Sequence, residues 1–175
     1  NGELESAVQH WETSLRLSHE LNNSDGIIRL SSQIAGHIVA PGGVVGEEAN
    51  AEQLDKARGL YSESEIAAER KRHLQPVGER DASGLVSALA GLLVVETIQA
   101  QTDAQALIEL RAVANRAADL AMQGEDTRGV IQEFAKAKLS EAIAMARKIG
   151  DDEVSKVLDR LESAFETQAI GPVPV

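Results

Sequence analysis

The side chains able to do chemistry sit in a few short stretches. His19-Glu20 opens the helical motif in which two histidines four residues apart hold zinc and the glutamate acts as base. Position 23 is Asn23, so the second ligand is missing. His10 and His19 are nine residues apart and fall on opposite faces of a helix. His37 lies between Gly36 and Ile38. Pro41-Gly42-Gly43-Val44-Val45-Gly46-Glu47 has the glycine content of a phosphate loop but lacks the Lys-Ser/Thr pair that meets phosphate and magnesium, so it reads as a flexible connection. Asp151-Asp152-Glu153 reads as the acidic start of a helix. Arg70, Lys71, Arg72 and His73 form the basic cluster. They either face the negative end of their own helix or make a dock for an acidic peptide. None of these stretches calls for a metal or a cofactor, and none is expected.

The elements that would hold these residues are helices. A first helix is expected from about Glu3 to Leu21, ended by Asn22-Asn23-Ser24-Asp25-Gly26. A second runs from about Gly26 to Val39, buried through Ile27, Leu30, Ile34 and Ile38, and stops at Pro41-Gly42-Gly43. A third spans about Ala51 to Leu74, before Pro76 and Gly78. Asp81 or Ser83 caps a fourth, to about Gln101, and Thr102 or Asp103 caps a fifth, to about Gln123-Gly124. Glu125-Asp126-Thr127 opens a sixth, to about Ile149, and Gly150-Asp151-Asp152 leads into a seventh, to about Thr167. Residues 169 to 175, with Gly171, Pro172 and Pro174, read as a flexible tail. The expectation is an all-α chain of about seven helices, with one domain over residues 1 to 168.

Composition narrows the function classes. Apolar residues make up 43% and aromatics only 2%, so the core must be built from Leu, Ile, Val and Ala. The net charge of -11 opposes binding to nucleic acid or anionic lipid. There are no cysteines, hence no disulfide, thiolate nucleophile or cysteine metal site, which fits a reducing, cytoplasmic setting. The apolar run from Gly84 to Val95 is 12 residues long. Crossing a bilayer takes about 20, so a buried helix and no membrane insertion are expected.

Several segments repeat. Leu4, Ala7, Trp11 and Ser14 return as Leu54, Ala57, Tyr61 and Ser64, and again as Leu107, Leu110, Ala114 and Ala117. The internal spacing of 3, 4, 3 is one stripe of an α-helix. A second segment agrees at the same offset of 103: Ser14-Leu17-Ser18 with Gly26-Ile27-Ile28 matches Ala117-Leu120-Ala121 with Gly129-Val130-Ile131. Recurrence at this length points to stacked helical hairpins.

At these residues the chain resembles a tetratricopeptide repeat array, a stack of antiparallel helix pairs over about residues 2 to 165. The second-helix motif, an alanine and then an aromatic four residues on, is carried by Gly2, Ala7 and Trp11 and by Ala57 and Tyr61. It thins to Leu110 with Ala114 and Ala142 with Ala146. The first-helix motif is present in outline as Ile34-Ala35 with Ile38 and Leu89-Ala90 with Leu93. The units are nearer 50 residues than the family's usual 34, so helices or loops are lengthened.

The resemblance implies a groove lined by the first helix of each unit. It would fall on Arg29, Ser32, Gln33, Gly36 and His37, then on Gly84, Ser87, Ala88 and Gly91. This lining is small and weakly polar, suited to a helix or apolar segment of a partner rather than to a clamped carboxylate. Trp11 and Tyr61 are expected to be buried between helices. Gly2 in that pattern marks the turn into a unit's second helix, so the chain is expected to begin inside a longer array. The strip of Leu4, Ala7, Val8, Trp11 and Leu15 would then be covered by upstream residues or by a second copy of the chain. Val154, Leu158, Leu161 and Phe165 would form a terminal cap.

The leading expectation is a non-catalytic scaffold or regulatory domain that binds a peptide or helix of a partner protein, with Arg29, Ser32, Gln33, His37, Ser87, Arg70, Lys71 and Arg72 as partner-binding residues. The alternative is a helical domain that senses a ligand or peptide and controls a fused effector. A phosphotransfer bundle ranks behind both. His10 or His37 could present the required imidazole, but no Lys-Gly follows either.

Overall fold

A computed structural model describes residues 2–40 and 49–169, with side chains described from residue 6 to residue 165. Among the described residues the chain is helical, with eight α-helices and no strand. They are α1 (Gly2–Glu20), α2 (Ser24–Val39), α3 (Ala51–Leu74), α4 (Ser83–Ala100), α5 (Ala104–Met122), α6 (Glu125–Arg128), α7 (Glu133–Arg147) and α8 (Asp152–Ala169). A short 3-10 helix, Val77–Glu79, precedes α4. The glycine-rich loop of Pro41 to Glu47 and residues 170 to 175 of the expected tail lie outside the described residues, while Ala169 belongs to α8.

Local chemistry sets most of the boundaries. Asn22 takes a left-handed backbone, φ 51°, and Asn23 then accepts from the Gly26 amide at 3.1 Å, so the chain turns from α1 into α2. Asn50 and Gln53 exchange hydrogen bonds of 2.9 and 3.0 Å at the start of α3, a reciprocal capping box. Asp103 caps α5 through the Gln105 amide, and Asp151 caps α8 through the Val154 amide at 2.8 Å. Asp81 accepts from the Ser83 amide where α4 begins.

The expected helix from Glu125 to Ile149 is in fact two, α6 and α7, and the break has a clear cause. Gly129 has φ 92°, and a Cβ there would stand 2.5 Å from the Arg80 carbonyl. The backbone leaves the helix to pair with the segment before α4. Val130 N donates to Arg80 O and Ala82 N to Val130 O, each at 2.9 Å, and Gln132 N donates to Ser83 Oγ. This also dissolves the second half of the 103-residue match, because Gly26-Ile27-Ile28 sits inside α2.

The core centres on α4, which packs against α2, α3, α5 and α7. It is apolar on every side and holds Leu85, Val86, Leu89, Leu92, Leu93 and Val95 at 5% exposure or less. By length and composition α4 could cross a membrane, but most of it is buried inside the protein. α1 covers α2, and α8 covers α5. Val154, Leu158 and Leu161 are buried beneath α8, as expected for its inner face.

Candidate functional site

The surfaces of α2, α4 and α7 frame a cleft of about 280 Å³. Its walls are Val39, Ala90, Val94, Ala142 and Met145, with Ser32, Gly36, Ser87 and Gly91 between them. Tyr61 reaches in from α3. A glycine makes this possible. A Cβ on Gly91 would lie 2.2 to 2.4 Å from the Tyr61 ring, so the ring occupies the space a side chain would need. On the other side, a Cβ on Gly36 would stand 3.5 Å from the Tyr61 hydroxyl, an ordinary contact.

The hydroxyl groups around the cleft differ in their partners. Ser32 Oγ is 2.8 Å from Ser64 Oγ, and Ser64 also donates to the Ile28 carbonyl. Neighbouring Ser31 donates to Glu63 at 2.7 Å, so α2 and α3 are stitched together along this edge. Ser87 Oγ is buried and has no hydrogen-bond partner. Tyr61 is 9% exposed, and burial pushes its phenol up to about 12. The phenol is therefore a neutral group that can donate or accept at ordinary pH. Lys138 and Glu141 stand on the rim one turn apart on α7.

The structure brings together part of the expected groove. Ser32, Gly36, Ser87 and Gly91 line the cleft. Arg29 and Gln33 are exposed on α2 and are not part of its lining. His37 is half-buried, with its ring edge-on to Trp11 at 6.2 Å between centroids. Ala88, expected to be exposed, is fully buried in the core, and Gly91 is covered by Tyr61. Trp11 is only half-buried, because α1 packs chiefly against α2. Tyr61 is buried as expected.

The basic cluster divides: Arg70, Arg72 and His73 line one groove, and Lys71 turns to α2. Arg70 and His73 are exposed, Lys71 pairs with Asp25 of α2, and Arg72 is 4% exposed. Arg72 donates to Glu69 at 2.7 and 3.0 Å and to the Thr127 carbonyl at 3.0 Å, which ties α3 to α6. This donation holds the Glu69 carboxyl below the usual carboxylate range. Arg128, 6% exposed, donates to the Gly129 carbonyl beside it. Arg72 is thus engaged within the fold by Glu69 and by the Thr127 carbonyl. A groove of about 610 Å³ runs past it between α3 and α5, over Leu85, Leu89 and Leu120, with Arg70, His73 and the Arg116–Glu65 pair at its edges.

Sequence reasoning missed the contribution of α7. Lys138, Glu141 and Met145 share one helical face of α7 at spacings of three and four. It also missed Glu96, 2% exposed at the centre of α4. Burial pushes its carboxyl above the ordinary range, and the Arg58 guanidinium, donating at 2.6 and 3.0 Å, pulls it partly back. Asp55 and Gln99 complete that network, which joins α3 to α4.

Among the described residues, no three His, Asp or Glu side chains come together in a way that could hold a metal ion. His19 lies 2.6 Å from Glu63, and His73 lies 2.9 Å from Glu69. No protein family matches the chain, and neither the curated proteins nor the solved structures include one with significant similarity to it.

Proposed function

We propose that this chain is a non-catalytic binding domain, a helical-hairpin array of the tetratricopeptide kind, that receives a peptide or helix of a partner protein along α2, α4 and α7. The observation that carries the reading is the cleft, which gathers Ser32, Gly36, Ser87 and Gly91 from two helices that the repeat pattern assigns to one face. The sequential packing of α2 on α3, α3 on α4 and α4 on α5 supports the array. In the last part α7 lies on α4 and α8 on α5, while α7 and α8 touch each other little. A cysteine-free, acidic chain fits a cytoplasmic setting.

A selection from a peptide library on the intact protein tests this. Enriched peptides should lose binding when Gly36→Leu fills the cleft and keep it when Arg70→Glu alters the remote α3 face. Enrichment of nothing, or binding that survives Gly36→Leu, would remove the reading.

A second reading is favoured by the shape and lining of the cleft, an apolar recess of about 280 Å³ into which Tyr61 reaches. Such a recess suits a small ligand, and the domain would then sense that ligand on behalf of an attached effector.

A further inference from the structure

We infer that the groove between α3 and α5 is a binding site for a small amphiphilic anion, a single carboxylate on a compact apolar body, with Arg70 receiving the carboxylate. The groove shares no lining residue with the cleft of α2, α4 and α7, so the two sites stand or fall separately.

Shape sets the size of the ligand. Leu85 and Leu89 of α4 and Leu120 of α5 form the floor, each at 5% exposure or less. Two ties cross from α3 to α5 at the ends of the lining. Glu65 accepts from Arg116 at 2.9 and 3.1 Å, and Arg72 donates to Gln123 at 3.3 Å. On either helix the ties are two turns apart, about 10 Å of rise. A recess of that length takes one or two rings or a short acyl chain. A partner helix, with anchors spread over two turns, would run onto a tie at each end. The volume of about 610 Å³ falls inside the usual range of small-molecule sites, ~300–1,000 Å³.

Charge sets its sign. Glu65, Glu69 and Asp119 are the acids of the lining, and each is already engaged. Glu65 meets Arg116, Glu69 meets Arg72 and His73, and Asp119 meets Arg160. Arg70 is the cation left over. It lines the groove and, among the described residues, has no hydrogen bond or ion pair with its own chain. A guanidinium presents a planar fork of donors that matches a carboxylate. One spare cation suits one negative charge better than a doubly charged phosphate, because the chain as a whole carries -11 and repels anions.

The lip joins the two requirements. Ile66 is 61% exposed and lies one turn before Arg70 on the same face of α3. An apolar side chain and a free cation thus stand side by side over an apolar floor. A ligand with an apolar body and a carboxylate head meets all three.

The test uses three probes on one naphthalene body: naphthoate, naphthylmethanol and naphthylmethylammonium, titrated calorimetrically into the intact protein. Naphthoate should bind saturably at one site per chain, about tenfold more tightly than the alcohol, with the ammonium weakest. Arg70→Glu should weaken naphthoate by about tenfold or more and make the ammonium the preferred probe. Arg29→Glu makes the same change of charge at an exposed arginine of α2, and should leave naphthoate within about twofold. Gly36→Leu, in the other cleft, should leave it unchanged. Absence of saturable naphthoate binding, or equal affinity for the alcohol, would overturn the proposal. So would equal losses in Arg70→Glu and Arg29→Glu, which would reduce the effect to overall charge. Loss of naphthoate in Gly36→Leu would place it in the cleft of α2, α4 and α7 and overturn the proposal as well.

Discussion

Two of the regions of this molecule that bury polar groups treat them in opposite ways. At the turn joining α6 to α7, Arg72 and Arg128 lie at 4% and 6% exposure, and their guanidinium groups meet a carboxylate and backbone carbonyls. In the cleft, Ser87 Oγ is equally hidden from solvent and meets nothing, and Tyr61 brings a phenol to the same place. The arginines solve a problem of the backbone, since they close the carbonyls of a chain that has left the helix at Gly129. The hydroxyls solve no such problem. The polar groups that hold this turn are satisfied by it, whereas Ser87 Oγ, like Thr97 Oγ1 and Arg111 Nε elsewhere, is buried without a partner.

The comparison can be broken by substitution. The largest effect is expected from Gly91→Leu, whose Cβ would enter the Tyr61 ring at 2.2 Å. We expect a loss of about 3 kcal/mol in urea unfolding. A loss under about 1 kcal/mol would mean that Tyr61 does not lie across α4. Next comes the clamp. Arg72→Met keeps the apolar stem and deletes the donors to Glu69 and Thr127, at an expected cost of about 2 kcal/mol. Arg70→Met, on an exposed neighbour, should stay within about 0.5 kcal/mol. Equal effects at the two positions would erase the distinction between clamp and surface charge.

Smaller effects of the opposite sign are expected on the cleft side. Ser87→Ala removes a buried hydroxyl that has no partner, and should raise stability by about 1 kcal/mol in the unliganded protein. Gly36→Ala places a methyl at ordinary distance from the Tyr61 hydroxyl and replaces a helical glycine, for a gain of about 0.5 kcal/mol. Thermal unfolding of both variants reads these signs. Destabilisation by Ser87→Ala would show that the hydroxyl has a structural partner after all.

The sequence carried the helices well, because caps and breakers act locally: Asn23, Asn50, Asp103 and Asp151 all stand where helices start. It misjudged the segment after Glu125, where a helical pattern yields to backbone pairing with Arg80 and Ala82, a long-range contact invisible to periodicity. The groove was half legible. Small residues on α2 and α4 were identified, but periodicity does not say which of them open a recess and which admit a neighbour's ring. Gly91 does the second, for Tyr61. Nor did four basic residues in a row reveal that Arg72 points inward while Arg70 points out.

The central claim is that a tyrosine is held, neutral and unpartnered by its own chain, in an apolar recess. Tyr61 is the sole tyrosine, so a spectrophotometric titration of the phenol isolates it. Its protonated form is favoured by folding, so folded protein binds the proton more tightly than unfolded protein. Stability from this group is complete below pH ~10 and is lost as pH rises towards about 12, by up to about 2–3 kcal/mol relative to Tyr61→Phe. The account predicts a phenol midpoint at about 12 in the folded protein. A midpoint near ~10, the value of a solvated tyrosine, in protein that is still helical would contradict it.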